Sequence, residues 1–162
     1  MKEERKTKIL LGIYLILLIW IILFKLSFSS EELERFRRIN LIPFYYSTKT
    51  NFQLREVLDN VFIFIPLGIL LKMEGIENKK VIGCGFIFSF ILESMQFILA
   101  IGASDITDVI TNTTGTLIGL GIYLFLSKVI KDDRGVNKIL NALGIMGAIL
   151  FLSFISLLIM NN

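Results

Sequence analysis

A few acidic and amide side chains interrupt otherwise apolar stretches, and these residues could do chemistry. Glu93 stands in the apolar run of residues 88–98, and Ser89, Glu93 and Gln96 recur at the i, i+4 and i+7 positions of one helix face. A charged group at membrane depth costs about 2.5 to 3.5 kcal/mol, so it must face a partner or a wet cavity. Glu93 could act there as a general acid or base, with Gln96 orienting a bound group, or the two could simply hydrogen-bond neighbouring helices.

A second polar set follows at the same kind of spacing. Asp105, Asp108 and Asn112 lie at i, i+3 and i+7, and Gly115 and Gly119 continue their stripe as a G-x-x-x-G pair that lets another helix approach closely. The two aspartates are candidate catalytic residues, and their hard oxygens could hold a divalent cation. Asp105 could instead be an N-cap, with Asp108 favouring the helix dipole. Asn112 lies a full turn deeper, where a cap does not explain it.

Composition identifies the class of protein that positions these residues. The chain has 162 residues, is 54% hydrophobic and has a mean hydropathy of +0.73, and its apolar residues come in long runs typical of a membrane protein. It has no His and a single cysteine, Cys84, so zinc and haem have no obvious ligands and an intrachain disulfide is excluded. The net charge of +3 is small, and we interpret it as a membrane orientation signal rather than a nucleic-acid footprint.

Five stretches approach the length of about 20 apolar residues that a helix needs to cross a bilayer. They predict an all-α, polytopic transmembrane bundle forming one domain over residues 1–162. The stretches are residues 9–28, 53–71, 81–101, 106–130 and 139–160. The second is weak at its start, which carries Arg55, Glu56 and Asp59 and is expected at the headgroups. No small-x-small cleavage site follows the first stretch, so we interpret it as an uncleaved span rather than a signal peptide.

The distribution of basic residues predicts the orientation. With five spans, eleven of the 17 Lys and Arg residues fall on the side of the N-terminus, so that side is predicted to be cytoplasmic. The candidate polar residues then all lie towards the external side, including Asn60 at the start of the second span and Asn40 in the first external loop. The positions of the spans and the distribution of basic residues alone place these polar residues on one side, independently of any function.

The loops and the second span carry further local signals. Ser29 with Glu32, and Thr50 with Gln53, fit helix capping boxes. Residues 31–39 have apolar positions at helical spacing and are predicted either as a short amphipathic helix on the membrane surface or as an ordinary charged loop. Pro66 is predicted to kink the second span at mid-depth, for packing or for shaping a site.

Four motifs together resemble the VanZ-like family, over residues 40–119. They are N-L-I-P-F from Asn40, N-V-F-I-F-I-P-L-G from Asn60, E-S-M-Q from Glu93 and D-I-T-D-V-I-T-N-T-T-G from Asp105. The resemblance implies a small bacterial membrane protein linked to low-level resistance to the glycopeptide teicoplanin, and it leaves the span at 139–160 as a C-terminal addition. Many members carry an Arg shortly before the first Asp of the last motif, where this chain has Gly102, Ala103 and Ser104.

Three functions fit these residues. The first is an enzyme or modifying factor for an envelope lipid or lipid-linked precursor at the outer leaflet, in which Glu93 is the acid or base and Asp105 and Asp108 hold a cation. Its binding residues would be Asn40, Asn60, Gln96 and Asn112. The second is a non-enzymatic protein that binds a lipid head group or an antibiotic tail. The third is a transporter, which is disfavoured because the inner halves of the spans lack matching polar residues. The sequence leaves open whether the protein forms a homo-oligomer.

Overall fold

The computed structural model describes residues 2–24, 36–45 and 51–160, and this part of the chain forms five helices and two short strands. Four of the helices are long and apolar enough to cross a membrane, which confirms the predicted transmembrane helical bundle. The fifth, α2, carries the charged residues that weaken the second predicted span. The predicted caps at Ser29 and Thr50 lie outside the described residues. The elements are α1 Lys2–Phe24, β1 Phe36–Asn40, α2 Asn51–Met73, α3 Asn78–Leu99, β2 Ile101–Asp105, α4 Ile106–Ile130 and α5 Asp133–Met160.

Strands β1 and β2 form a parallel pair, which corrects the amphipathic helix predicted for residues 31–39 over residues 36–39; residues 31–35 lie outside the described residues. The register aligns Phe36 with Ile101 and Asn40 with Asp105. The chain leaves α3 at Ala100, which adopts the left-handed conformation, and then runs extended until α4 begins. The backbone groups of this extended segment need partners, and β1 supplies them. The apolar spacing used to predict a helix could not reveal a pairing partner more than sixty residues away.

Glycines allow α2 and α4 to pack at backbone distance, as the G-x-x-x-G pair predicts. A Cβ atom added at Gly115 would overlap the carbonyl oxygen of Val61, and one at Gly119 would overlap that of Ile65. On α2, a Cβ added at Gly68 would likewise overlap the carbonyl of Thr116. This close approach makes α2 and α4 the most extensively packed pair of elements and fixes where their polar ends meet.

Helix α1 packs against both α2 and α5. The Tyr14 hydroxyl donates a hydrogen bond to the carbonyl of Ile63, which precedes Pro66 on α2. Near the start of α1, the buried hydroxyl of Thr7 donates a hydrogen bond to Oδ1 of Asn141 on α5 at 3.2 Å. Most of α5 beyond that contact is exposed. Helix α1 is therefore held to α5 near its start and to α2 near its middle.

Candidate functional site

A cavity of about 620 Å³ lies where the C-terminal part of α1 and the β1–β2 pair meet helices α2, α3 and α4. Four of the seven predicted site residues line it: Asn60 of α2, Glu93 and Gln96 of α3, and Asp108 of α4. We call it the polar cavity. Its volume is in the usual range for small-molecule sites, which is about 300 to 1,000 Å³. The structure thus brings residues from three separate helices into one space.

Glu93 is the most buried carboxylate of this group, at 3% exposure. Its Oε2 atom accepts a hydrogen bond of 2.9 Å from the backbone N–H of Asp105. That N–H belongs to the last residue of β2, so the strand pair supplies a donor to the helix α3 carboxylate. The position of Glu93 in the cavity therefore depends on the extended conformation between α3 and α4.

Asp108 and Asn60 join α4 to α2 at the cavity wall. The Nδ2 atom of Asn60 donates a 2.8 Å hydrogen bond to Oδ1 of Asp108. Asp108 also lies in the first turn of α4, where the helix dipole stabilises a negative charge. Both residues line the cavity, so the pair forms part of the surface that a bound group would meet.

Gln96 presents an acceptor that no described residue satisfies. Its Nε2 atom donates to the carbonyl of Ile22 at 2.9 Å, and its buried Oε1 atom has no hydrogen-bond partner among the described residues. Because a carbonyl can only accept, the amide nitrogen must face Ile22, and this fixes the identity of the orphan atom as oxygen. A buried acceptor without a donor costs free energy, so this position favours a bound donor.

Asp105 and Asn40 lie beside the polar cavity rather than among its lining residues. Asp105 caps α4, because its Oδ1 accepts from the backbone N–H of Thr107 at 2.7 Å. Its Oδ2 accepts a 2.8 Å bond from Nδ2 of Asn40. Asn40 also donates to the carbonyl of Tyr45 and accepts from the N–H of Ile42. These contacts give Asp105 the structural role of a cap, the alternative that its sequence position left open, and they anchor β1.

Asn112 lies deeper, between α3 and α4. Its Nδ2 atom donates a 2.9 Å bond to the hydroxyl of Ser89, and both residues are buried. Asn112 is outside the lining of the polar cavity. Its buried Oδ1 atom has no hydrogen-bond partner among the described residues, so the bond to Ser89 satisfies only the nitrogen of this amide.

The lining residues that sequence reasoning missed include Phe36, Arg38 and Glu56. Phe36 and Arg38 alternate on β1, so a strand places both on one face, whereas a helical spacing separates them. Arg37, on the opposite face, donates to the carbonyl of Ile98 at 3.1 Å and lies over the ring of Phe97.

Arg38 places a positive charge beside the uncharged segment of Gly102, Ala103 and Ser104 that precedes Asp105. In the strand register Arg38 pairs with Ala103, and both residues line the cavity. The guanidinium shares the cavity lining with the carboxylates of Glu56, Glu93 and Asp108. The polar cavity can therefore interact with both a cationic and an anionic part of one ligand.

The cavity also has an apolar wall, and its carboxylates form no clear metal centre. Ile21 and Ile22 of α1 and Ile63 of α2 line one side. Among the described residues, no group of three or more His, Cys, Asp or Glu side chains is arranged to hold a metal ion. The arrangement of acceptors, one guanidinium and an isoleucine wall suits an amphiphilic molecule, because it offers hydrogen bonds and apolar contact side by side.

Comparisons with known proteins agree with the motifs. The VanZ/LLP1 family model matches residues 11–127, a longer region than the motifs alone covered. The chain is also 42% identical to Protein VanZ of Enterococcus faecium over 153 residues, which cover 90% of this chain and 89% of that protein. The family model ends before α5, but the match to this relative reaches into it. No solved structure matches the chain.

Proposed function

Because the chain belongs to the VanZ/LLP1 family, which is linked to glycopeptide resistance, we propose that it acts in the cell membrane on an envelope lipid. It binds the lipid head group, or modifies it, in the polar cavity at the outer leaflet. The ligand is a membrane lipid or a lipid-linked envelope precursor. Resistance to teicoplanin then follows from what the protein does to that lipid.

The orphan acceptor of Gln96 carries this proposal. Gln96 Oε1 is buried, lacks a donor among the described residues, and belongs to a residue lining the same cavity as Glu93 and Asp108. Three acceptor-bearing side chains in one cavity favour a ligand rich in donors, such as sugar hydroxyls or an ammonium group. Head groups of envelope lipids carry both kinds of donor.

The other lining residues support a lipid rather than a small soluble ion. Arg38 offers two parallel donors suited to a phosphate, the group that joins most head groups to their chains. Ile21, Ile22 and Ile63 offer an apolar wall for the part of the molecule that enters the hydrocarbon. The excess of basic residues on the N-terminal side supports the outer leaflet as the location of the cavity.

Modification and simple binding differ in the role of Glu93. In a modifying protein the Glu93 carboxyl exchanges a proton with the head group while the Asp105 N–H keeps it oriented. In a binding protein the same carboxylate only accepts a hydrogen bond. Transport is less well supported, since the buried polar residues at the opposite end of α1, Thr7 and Asn141, are hydrogen-bonded to each other and to Glu3.

The experiment compares teicoplanin susceptibility in a susceptible bacterial host expressing the chain or its Glu93→Gln variant. Ser94→Ala is the control, because the Ser94 hydroxyl donates only to the Phe90 carbonyl of its own helix. We expect E93Q to lose the resistance while S94A keeps it, at equal protein levels in the membrane. Mass spectrometry of the envelope lipids separates modification, which changes a lipid mass, from binding, which does not. Full resistance with E93Q would contradict a role for the Glu93 charge or its proton in the activity of this cavity.

A further inference from the structure

A second, apolar cavity runs between α1, α2 and α5. Its volume is about 460 Å³, and its lining is almost entirely apolar. On α5 the wall combines three small residues, Gly144, Gly147 and Ala148, with the larger side chains of Leu140, Leu143 and Phe151. A Cβ atom added at Gly147 would meet nothing within 4 Å. We call this space the apolar groove.

The apolar groove is continuous in its lining with the polar cavity. Ile21 of α1 lines both spaces. About two turns before Ile21 on α1, Tyr14 lines the groove. Its hydroxyl donates a hydrogen bond to the carbonyl of Ile63, a residue that lines the polar cavity. The two spaces therefore adjoin at Ile21 on α1.

The dimensions of the groove suit one hydrocarbon chain. Its lining on α1 extends from Leu10 to Ile21. These eleven residue steps span about 16 Å at the α-helical rise. The chains of one leaflet fill half of a hydrocarbon core of about 30 Å, and this length is nearly the same as that of the groove. The groove lies within the transmembrane bundle, which lipid hydrocarbon chains surround in a membrane.

We propose that the apolar groove holds the hydrocarbon chain of the same lipid whose head group occupies the polar cavity. This inference rests on the proposed function and specifies its ligand: an amphiphile recognised through both parts, with the chain passing Ile21 and lying against the small residues of α5. Its phosphate lies near Arg38 and its donors face Gln96 and Asp108. The chain contributes apolar burial, and the head group contributes selectivity.

Two probes and three variants of the full-length protein in detergent test the proposal. The probes are radiolabelled lysophosphatidylethanolamines with a palmitoyl or a hexanoyl chain, and equilibrium binding is measured. Gly147→Phe fills the groove. Gly121→Phe is its matched control on α4, because an added Cβ there also meets nothing within 4 Å. Asp108→Asn alters the polar cavity. Ala148→Leu replaces G147F if that variant does not fold, as judged by gel filtration and circular dichroism.

We expect G147F to weaken binding of the palmitoyl probe about tenfold, the equivalent of roughly two displaced methylenes. It should leave the hexanoyl probe unchanged, G121F should alter neither probe, and D108N should weaken both. If G147F leaves palmitoyl binding intact while D108N weakens both probes, the groove proposal is wrong and the head-group site stands. A change in oligomeric state by G147F without a change in binding would assign the groove to a second copy instead. If D108N affects neither probe, the proposed function itself fails.

Discussion

Asn40 and Asp105 are partners twice, once through their backbones and once through their side chains. They face each other in the register of the β1–β2 pair, and Nδ2 of Asn40 donates to Oδ2 of Asp105 at 2.8 Å. The same Asp105 caps α4 and donates its backbone N–H to Glu93. One residue thus fixes the strand, the helix start and the carboxylate in the polar cavity.

The first prediction separates a structural from a chemical role for Asp105. Asparagine caps helices about as well as aspartate, so Asp105→Asn should keep most of the stability and the resistance. Asp105→Ala should lower the free energy of unfolding by about 1 to 2 kcal/mol, because it loses the cap and the bond from Asn40. Denaturation in detergent and antibiotic susceptibility measure the two effects. Complete loss of function in a stable D105N protein would show that the carboxylate takes part in the chemistry or holds a cation.

The second prediction uses the two faces of β1. Arg38 lines the polar cavity, whereas Arg37 contacts Ile98 and Phe97 on the other face. Arg38→Gln should abolish binding of a phosphate-bearing lipid and leave the unfolding transition nearly unchanged. Arg37→Gln should lower stability by about 0.5 to 1 kcal/mol and leave binding nearly intact, since it loses an exposed cation–π contact. Equal binding losses in both variants would remove the assignment of Arg38 to the ligand.

The third prediction concerns the contact between α2 and α4. A methyl group at Gly119 would overlap the backbone of Ile65, so Gly119→Ala should destabilise the bundle by about 1 to 3 kcal/mol. Gly121→Ala, two residues along the same helix, meets open space and should be neutral or stabilising by up to about 1 kcal/mol. The midpoint of thermal unfolding of the two purified variants gives the comparison. A stable G119A protein would mean that α2 and α4 lie farther apart than described.

The fourth prediction tests the orientation in the membrane. In a Cys84→Ser background, a cysteine at Leu41 should react with a membrane-impermeant maleimide in intact cells, because this exposed residue lies on the external side by the charge distribution. A cysteine at Glu77, in the exposed turn before α3, should react only after the cells are lysed. The reverse labelling pattern would place the polar cavity at the cytoplasmic leaflet.

Much of the site could be predicted because the cost of burying polar groups in hydrocarbon acts locally. Glu93 and Gln96 share a helix face, as do Asp108 and Asn112, and the alternation of spans places these faces at the same end of the bundle. The G-x-x-x-G pair likewise identified the face of α4 that packs against a neighbour. These inferences need only helix geometry and the order of the spans.

The parts that could not be predicted depend on contacts between distant segments. The pairing of β1 with β2 joins residues 36–40 to residues 101–105, and nothing in the spacing of residues 31–39 reveals it. Arg38 was missed for the same reason, because its direction follows from the strand. The apolar groove could not be predicted either, since residues 142–152 of α5 are all apolar and their sequence does not show which side faces α1.

The lipids retained by the purified protein test the central claim most directly. Wild-type protein and the Gln96→Leu variant would be extracted in the same mild detergent and their bound lipids quantified by mass spectrometry against the host membrane. We expect one head-group class to be enriched on the wild-type protein and to fall to its membrane proportion on Q96L, because that variant loses the buried acceptor Oε1. Identical lipid profiles for both proteins, matching the membrane, would contradict the account.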